Sequence, residues 1–439
     1  MQINSAIEFE SQEKIAVLNA QLLREHIAYC YERSPFYHRR FDEMGIDLKR
    51  IRSIDDLNLL PCTTKEDLEC FTQDFLCVPE REIIDTCQTS GTTGKPVSLL
   101  QTVSDLERVG YNEKISFSAA GVTAEDSVMI ACALGRCFMA GLAYFEGVRQ
   151  LGARAIRTGS GNPSVLAQSV LLHHPSIIVC VPSQAVLMGE AIQNEGWDPS
   201  DLGVKTLICI GEPVRTTDLE LSQLGRRLRQ LWGCDIVGTY ASTEMATSFT
   251  DCVACRGGHY HPELITVEIL DDNGNFILPG QFGEVVVTPL QVTGMPLLRY
   301  CTGDIATYYT DPCPCGRKAY RLSPIVGRKQ QKMKIRGTTV YPNAIFSVLQ
   351  GIHGVKNYYL EVGGEYELSE SVRVIVGVER GVSLPAPSIA EKLRGYIRVK
   401  PEVEVRSVAE VAAKTLPEGK RKAVTFFDNR IQNNSARIK

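Results

Sequence analysis

An alternation of strand-like and helix-like patterns between residues 127 and 237 constrains the fold of this chain most strongly. Short apolar runs fall at 128–134, 177–181, 207–210 and 235–237, and helical patterns fall between them or follow them, at 140–151, 164–173, 183–194 and 216–232. Continuous apolar runs are typical of strands that are buried on both faces. Their alternation with helices predicts a mostly parallel sheet that is covered by helices.

Patterns outside this region indicate further layers and a second domain. Residues 12–33 have the apolar stripe of an amphipathic helix, Thr64 begins a helix-capping pattern, and two strand-like runs flank a turn at 271–274. From Gly327 the patterns are shorter, with strands predicted at 333–335, 356–362, 371–378 and 402–407 and helices after Pro342 and at 388–398. We therefore predict an α/β protein. Residues 1–326 would form a large multi-layer N-terminal domain with parallel sheets covered by helices, and residues 327–439 a small α+β C-terminal domain.

Charge and cysteine content limit the classes of function. The 439 residues carry a net charge of −4, but from Gly327 onward 20 Lys/Arg face 11 Asp/Glu, a balance of +9, and the remainder is at −13. A basic unit beside an acidic body suits an anionic small substrate better than nucleic acid, although two oppositely charged domains would also dock together. Because no signal peptide or membrane-length apolar run is present, we expect a cytoplasmic protein whose fifteen cysteines are reduced.

A loop rich in glycine and hydroxyl groups is the strongest candidate for binding a ligand. It consists of Thr89, Ser90, Gly91, Thr92, Thr93, Gly94 and Lys95, followed by Pro96. Glycines let the backbone approach a ligand, successive N–H groups form an anion-binding concavity, and Lys95 adds a positive charge. These features suit a polyphosphate, although the Walker spacing is absent and a plain surface loop is the alternative.

Five short motifs occur in order along the chain. They are the loop at 89–96, Gly211-Glu-Pro, Tyr240-Ala-Ser-Thr-Glu, Tyr300-Cys-Thr-Gly-Asp with Gly327-Arg328, and Gly419-Lys420. With these motifs the chain resembles the adenylate-forming, acyl-CoA synthetase-like superfamily, and most closely its phenylacetate–coenzyme A ligase family. The resemblance extends from the first helix to the terminal lysine.

The resemblance implies which residues bind the nucleotide. The loop at 89–95 is similar to the family's mobile loop for the β- and γ-phosphates of ATP. Thr243 is similar to the Thr that contacts the α-phosphate, and Glu244 to the Glu that holds Mg²⁺, a cation that prefers oxygen ligands. Without its neighbours Glu244 would be interpreted as a solvated loop acid. Nucleotide contacts are also implied for Gly211, Glu212, Pro213, Tyr240, Ala241 and Ser242.

Three charged residues near or beyond residue 300 have implied roles as well. Asp304 resembles the Asp that accepts hydrogen bonds from both ribose hydroxyls, although an Asx turn is the plain alternative. Arg328 resembles the Arg that reaches the ribose and phosphate. Lys420 resembles the catalytic lysine that bridges the acyl carboxylate and the α-phosphate during adenylation, with Lys422 as the alternative alignment.

Two positions depart from the family pattern. Gln330 stands at the hinge, where Asp or Lys is usual, and Cys301 stands where near relatives often have Arg. Gln can still absorb a backbone rotation, so the resemblance continues to imply that residues 327–439 move between adenylation and thioester formation.

Thiols and imidazoles recur at short spacings in the second half of the N-terminal domain. The residues concerned are Cys252, Cys255, His259, His261, Cys313 and Cys315. Four such ligands suit a tetrahedral structural zinc, and ordinary buried thiols are the alternative. Zinc-binding relatives resemble the chain here, which implies that Cys252, His259, Cys313 and Cys315 are the ligands and that Cys255 and His261 are spares.

The acyl pocket is marked only by apolar and aromatic residues. The resemblance places it near Phe138, Met139, Tyr144, Tyr240 and Met245, each of which would serve equally well in an ordinary core. Cationic residues beyond 327 are candidates for binding coenzyme A, namely Arg336, Lys392, Arg394, Arg398 and Lys400.

The resemblance implies an enzyme that uses ATP and Mg²⁺ to convert an aryl, phenylacetate-like acid into an acyl-adenylate, with release of pyrophosphate. The acyl group then passes to coenzyme A. One alternative keeps the adenylation but transfers the acyl group to a carrier-protein thiol or an amine, and another is a zinc-stabilised nucleotide-binding protein without acyl transfer. The expected partners are the acid, ATP and coenzyme A. Nucleic acid and membranes are not expected, and a homodimer is left open.

Overall fold

The computed structural model describes residues 5–89, 96–335, 338–365, 369–397, 400–416 and 423–430. The chain divides into two compact units, one of residues 1–302 and 306–325, and one of residues 303–305 and 326–439. None of the helices in the described ranges is both long and apolar enough to cross a membrane.

The described part of the first unit contains eight α-helices and most of the strands of the chain. The helices are α1 (Gln12–Arg33), α2 (Pro35–Met44), α3 (Lys65–Phe71), α4 (Val103–Ala119), α5 (Met139–Leu151), α6 (Pro163–His173), α7 (Pro182–Asn194) and α8 (Gln223–Trp232). The strands up to β7 are β1 (Ile83–Gln88), β2 (Ser98–Thr102), β3 (Ser127–Ala131), β4 (Arg154–Ile156), β5 (Ile177–Cys180), β6 (Thr206–Ile210) and β7 (Asp235–Ser242). The next are β8 (Thr247–Asp251), β9 (Gly258–His259), β10 (Ile265–Leu270), β11 (Gly283–Pro289), β12 (Tyr300–Ala306), β13 (Tyr308–Tyr309) and β14 (Arg321–Leu322), and the division between the units falls within β12.

One large sheet organises this unit and confirms the predicted α/β class. Its strand order is β13-β14-β9-β8-β7-β6-β5-β3-β4, in which β7, β6, β5, β3 and β4 run parallel to one another. Beyond β7 the sheet continues with antiparallel pairs, which the sequence patterns did not indicate.

The central parallel strands β3, β5 and β6 are buried on both faces, as their apolar runs predicted. In β5, Ile177 and Val179 pack into one core, and Ile178 and Cys180 pack into another on the opposite face. The second of these cores also contains Trp232 from α8, whose side chain is completely buried. Burial of both faces requires helices on each side of the sheet.

Helix-capping and hairpin patterns in the sequence account for several other elements of the first unit. Ser11 caps α1, Thr64 forms a capping box with Asp67 at the start of α3, and β10 pairs antiparallel with β11 as the predicted hairpin. The helix predicted at 216–232 begins only at Gln223, so the prediction was wrong for residues 216–222. There the chain forms a turn with Leu219 at a φ of 66°, which interrupts a helix.

The second unit is a small α+β fold. Its strands are β15 (Gly327–Arg328), β16 (Met333–Ile335), β17 (Thr338–Val340), β18 (Val355–Glu365), β19 (Ser369–Val378), β20 (Glu402–Ser407) and β21 (Phe426–Asp428), and its helices are α9 (Pro342–Gln350), α10 (Ala386–Ile397) and α11 (Val408–Thr415). The main sheet has the order β20-β19-β18-β21, with one antiparallel and two parallel pairs.

Candidate functional site

The Thr243–Glu244 turn connects β7 to β8 at the edge of the sheet where the parallel strands end. Both side chains are half-buried, and the Tyr300 hydroxyl donates a hydrogen bond to Oε1 of Glu244 at 3.3 Å. In β7, the ring of Tyr240 packs against Phe249 with centroids 5.7 Å apart. Ligands of open parallel sheets bind at this edge, so the turn is placed where a nucleotide would be expected.

Arg108 of α4 holds the same turn by hydrogen bonds, a role that the sequence did not indicate. Its guanidinium is completely buried and donates hydrogen bonds to the carbonyl oxygens of Ala246, Leu264 and Leu290 and to the Thr247 hydroxyl. Burial lowers the pKa of Arg108 to about 10, which still leaves it protonated at neutral pH. A single charged group therefore joins the turn to two other segments of the chain.

A cleft opens beside the turn. It is lined by α4, α5, β2 and the 289–295 segment as well as by Thr243 and Glu244. Of the predicted acyl-pocket residues, Met139 lines this cleft. Tyr144 and Met245 lie in the hydrophobic core, where Tyr144 packs against Phe117.

The residues Gly211, Glu212 and Pro213 follow β6 at the same edge of the sheet. Gly211 has a φ of 78°, a conformation that favours glycine. The Glu212 carboxylate accepts hydrogen bonds from the Ser183 backbone N–H at 2.9 Å and from its hydroxyl at 3.0 Å, at the start of α7. Glu212 therefore stabilises the helix N-terminus and holds the 211–213 segment against it.

The polyphosphate-loop candidate joins β1 to β2. Thr89 is buried and exchanges two hydrogen bonds with Val97, because its N–H donates to the Val97 carbonyl and its hydroxyl accepts from the Val97 N–H, both at 3.0 Å. These bonds close the base of the loop. The remaining loop candidates, Ser90, Gly91, Thr92, Thr93, Gly94 and Lys95, lie outside the described residues, as do Lys420 and Lys422.

Asp304 and Arg328 lie together in the second unit. They face each other as backbone partners in β12 and β15, and the Arg328 Nε lies 3.2 Å from a carboxylate oxygen of Asp304. The Asp304 side chain is 9 % exposed and that of Arg328 46 %, so one side of the pair remains open to solvent.

The hinge candidate Gln330 also lies in this unit. Its backbone carbonyl accepts a hydrogen bond from the buried Arg430 guanidinium at 2.9 Å, and the same guanidinium pairs with Asp428. Of the coenzyme A candidates, Arg394 and Lys400 each pair with Glu391, which compensates part of their charge. Arg336 and Arg398 lie outside the described residues.

The structure brings Cys252, His259, Cys313 and Cys315 together, with all four ligand atoms within 4.8 Å of one another. The sulfurs of Cys252 and Cys313 are 3.6 Å apart, and the Cys315 sulfur is 3.5 Å from His259 Nε2. Tetrahedral zinc, with Zn–S of about 2.3 Å and Zn–N of about 2.0–2.1 Å, would separate two sulfurs by about 3.8 Å and a sulfur from a nitrogen by about 3.5 Å. The donor set and its spacings therefore fit zinc.

The electrostatics of His259 and Cys315 suit a metal, whereas burial raises the pKa of the Cys252 thiol to about 12 and also raises that of Cys313. Burial lowers the pKa of His259 to about 3, so that its imidazole is neutral, as a metal ligand must be. Burial opposes ionisation of Cys315, but the backbone N–H of Arg317 and neighbouring groups hold the pKa of its thiol below the usual value.

The two spare residues have other partners. His261 Nδ1 lies 2.5 Å from a carboxylate oxygen of Glu8, whose other oxygen accepts a hydrogen bond from Arg317 at 3.0 Å. The Cys255 thiol contacts the Ile236 carbonyl instead of the cluster. Glu8 and Arg317 were not identified from the sequence, because nothing in the local pattern connects residues so far apart.

The chain is similar to a known enzyme family and to several characterised proteins. The family model described as AMP-binding enzyme matches residues 64–295. The phenylacetate–coenzyme A ligase of Thermus thermophilus is 32 % identical over 379 residues, which cover 84 % of this chain and 83 % of the relative. A protein of the same name from Escherichia coli is 28 % identical and covers 97 % of both chains.

Solved structures show the same fold. The crystal structure of 2-hydroxyisobutyryl-CoA ligase in the postadenylation state, in complex with 2-HIB-AMP, matches with a TM-score of 0.85 at 22 % identity and covers 97 % of this chain and 91 % of the other. ATP-bound MatB from Rhodopseudomonas palustris matches with a TM-score of 0.60 at 17 % identity, over 80 % of this chain and 68 % of the other.

Proposed function

Because this chain belongs to the AMP-binding enzyme family and, within it, to the phenylacetate–coenzyme A ligases, we propose that it makes acyl-coenzyme A from a carboxylic acid and ATP. The acid attacks the α-phosphate to give an acyl-adenylate and pyrophosphate. The coenzyme A thiol then displaces AMP. An aryl acid of the phenylacetate type is the proposed substrate.

One observation carries the proposal most directly. The Thr243–Glu244 turn lies at the rim of a cleft and is held by two groups, Tyr300 on the carboxylate and Arg108 on the backbone. A half-buried carboxylate that is fixed in this way is suited to hold Mg²⁺ against phosphate oxygens, while the Thr243 hydroxyl is suited to contact the α-phosphate.

Further nucleotide contacts are assigned to other residues by resemblance. The closed base of the 89–96 loop supports a role in binding the β- and γ-phosphates, and the Asp304 carboxylate supports a role in accepting hydrogen bonds from the ribose hydroxyls. Arg328 would orient that carboxylate. We assign adenylation catalysis to Lys420, by resemblance.

Acid-dependent exchange of pyrophosphate into ATP tests the first half-reaction. Phenylacetate and related aryl, indolyl and short aliphatic acids should be compared, with the acyl-adenylate trapped as a hydroxamate. Glu244→Gln should lower exchange at least ~100-fold, because loss of one preorganised charged group costs about 3 kcal/mol. Glu125→Gln, at an exposed acid in a loop of the same unit, is the matched control and should be unaffected. Tight ATP binding without exchange for any acid would favour a nucleotide-binding protein instead.

Coenzyme A as the acceptor is tested separately. Free coenzyme A should consume the acyl-adenylate, and raising the salt concentration should increase its apparent KM more than that of the acid, because its phosphates meet a basic unit. A stable adenylate that only a carrier-protein thiol or an amine consumes would contradict this acceptor. Residues 327–439 are proposed as the domain that moves between the two half-reactions.

We also propose that the Cys252, His259, Cys313 and Cys315 cluster holds a structural zinc. The support is its donor set, the neutral imidazole, and spacings near those of tetrahedral zinc. An ion bound there would cross-link the segment that contains Cys252 and His259 to the segment that contains Cys313 and Cys315. A homodimer and a cytoplasmic location remain predictions.

A further inference from the structure

The side-chain amide of Gln101 is a polar group in the cleft that the proposed function does not use. Gln101 lies in β2 opposite Asp85 of β1, and only 5 % of it is exposed. Opposite residues of an antiparallel pair share a face of the sheet, and side chains alternate along each strand, so Gln101 shares its face with Cys87. Cys87 belongs to a cluster with Met139, and Ala246 packs against that cluster. Because Met139 and Ala246 also line the cleft, this face of the hairpin looks into it.

One end of the amide is held and the other end is open. The Cys87 sulfur lies 3.5 Å from Gln101 Oε1 and 3.2 Å from an Asp85 carboxylate oxygen, which keeps Oε1 on the side of β1. Among the residues that the structure describes, Nε2 donates to none, and it is not one of the unpartnered polar atoms that are sealed from solvent. An amide nitrogen has two N–H donors. Since Gln101 lines the cleft, these donors are available to a group that enters it.

The charged groups of the cleft lining are already occupied. The Asp105 carboxylate accepts five hydrogen bonds at 2.7–3.1 Å, from the backbone or hydroxyl groups of Thr102, Thr293 and Gly294. The buried guanidinium of α4 donates to backbone carbonyls. With these charges satisfied within the protein, the open amide suits a neutral hydrogen-bonding group better than a phosphate. Ligand sites of this kind are mainly apolar and use a few polar groups for specificity.

We propose that Gln101 recognises a hydroxyl group on the acid, so that the preferred substrate is an aryl acid with a ring hydroxyl. This inference rests on the proposed function, in which the acid lies beside Thr243. The space between the lining side chains admits a water-sized group but no ring. The ring would therefore stay at the mouth of the cleft against Met139, and only its substituent would enter. A hydroxyl fits this space and accepts a hydrogen bond from Nε2.

The preference between paired acids measures this contact. Acid-dependent pyrophosphate exchange gives kcat/KM for phenylacetate, for its ring-hydroxylated isomers and for the corresponding methoxy acids. One hydroxy isomer should be used at least ~10-fold better than phenylacetate, because an acid without the hydroxyl leaves the buried amide unpaired. Its methoxy counterpart should lose this advantage, since the space does not admit the additional methyl group.

A substitution at Gln101 separates recognition from a structural role. Gln101→Met removes the donors at a similar side-chain volume. The ratio of kcat/KM between the preferred hydroxy acid and phenylacetate should fall at least ~10-fold, whereas a structural defect would lower both values together. Gln168→Met, at an exposed glutamine of α6, is the control and should keep the wild-type ratio. If phenylacetate is used as well as every hydroxy isomer, or if Gln101→Met keeps the ratio, the assignment is wrong.

A binding measurement distinguishes failure of this inference from failure of the proposed function. Calorimetric unfolding of the full chain with each acid in excess reports affinity without turnover. The preferred hydroxy acid should raise the Tm of the wild type more than phenylacetate does, and the two acids should stabilise Gln101→Met equally. If no acid supports exchange, the proposed function fails, and the difference in Tm still decides the contact. Equal stabilisation of the wild type by both acids would refute it.

Discussion

Replacing Arg108 by Met tests whether one buried guanidinium holds the site together. Met has a similar length and fills much of the same space, so the change removes the charge and the donors with little cavity. The carbonyl oxygens of Ala246, Leu264 and Leu290 would then lose their charged donor, and so would the Thr247 hydroxyl. Leu264, Leu290 and Thr247 are buried, so water cannot readily replace the lost donor there, whereas Ala246 is half-buried.

The size of the effect follows from these contacts. Hydrogen bonds to a charged group contribute about 1.5–3 kcal/mol each, and recovery of the burial cost of the charge offsets part of their sum. We expect a net loss of about 3–5 kcal/mol in the free energy of unfolding. The first unit spans residues 1–302 and 306–325. At about 2.1 cal/mol/K per residue its entropy of unfolding is about 0.7 kcal/mol/K, so Tm should fall by about 4–7 °C.

Calorimetry on the full chain measures this shift, and pyrophosphate exchange at varied ATP concentration measures the effect on the turn. We expect a higher KM for ATP in Arg108→Met, because the Thr243–Glu244 turn loses its anchor. Arg149→Met is the control, since Arg149 is an exposed arginine on the neighbouring helix that pairs only with Glu146 among its described ion pairs. It should leave both quantities unchanged. A drop of under 1 °C in Arg108→Met would refute the assigned role.

Three further changes test other parts of the molecule. Cys313→Ser should reduce bound zinc from about one ion per chain and lower Tm, whereas Cys255→Ser should retain the metal, as elemental analysis would show. Burial raises the pKa of Glu113 to about 7, so the folded protein keeps a proton that the unfolded chain releases near pH 4.5, and stability should fall as pH rises from 4.5 to 7. Glu113→Gln should remove about 3 kcal/mol of this decline, measured by urea unfolding at pH 5 and pH 8. Lys420→Ala should lower pyrophosphate exchange at least ~100-fold but spare thioester formation from supplied acyl-adenylate. If Lys422→Ala shows this loss of exchange and Lys420→Ala does not, Lys422 is the catalytic lysine.

The central sheet was predictable because its strands are buried on both faces, which leaves continuous apolar runs in the sequence. Helix α4 was not predicted, although Asp105 and Arg108 of this helix line the cleft. Its buried residues include Asp105, Arg108, Asn112, Glu113 and Ser116 as well as Val109, Ile115 and Phe117, so buried polar side chains interrupt the apolar stripe. A method that looks for apolar periodicity cannot find such a helix.

The cysteine and histidine cluster was predictable because its residues recur at short spacings, as metal ligands do. The contacts of Glu244 and of the turn backbone could not be predicted from the sequence. Tyr300 is 56 residues from Glu244, and Arg108 is 138 residues from Ala246, so only the fold brings them together.

The two ends of β8 explain how a structural metal would matter to a site that it does not touch. The strand begins after the Thr243–Glu244 turn, and Cys252 follows its last residue directly. At about 3.4 Å per residue, the five residues of β8 separate the cluster from the turn by about 17 Å, which excludes direct contact between the metal and a substrate there. His259 lies in β9, the antiparallel neighbour of β8, so a metal at the cluster would fix the register of this pair. Metal loss should therefore loosen the β7–β8 turn through the strand, lowering stability first and nucleotide affinity second.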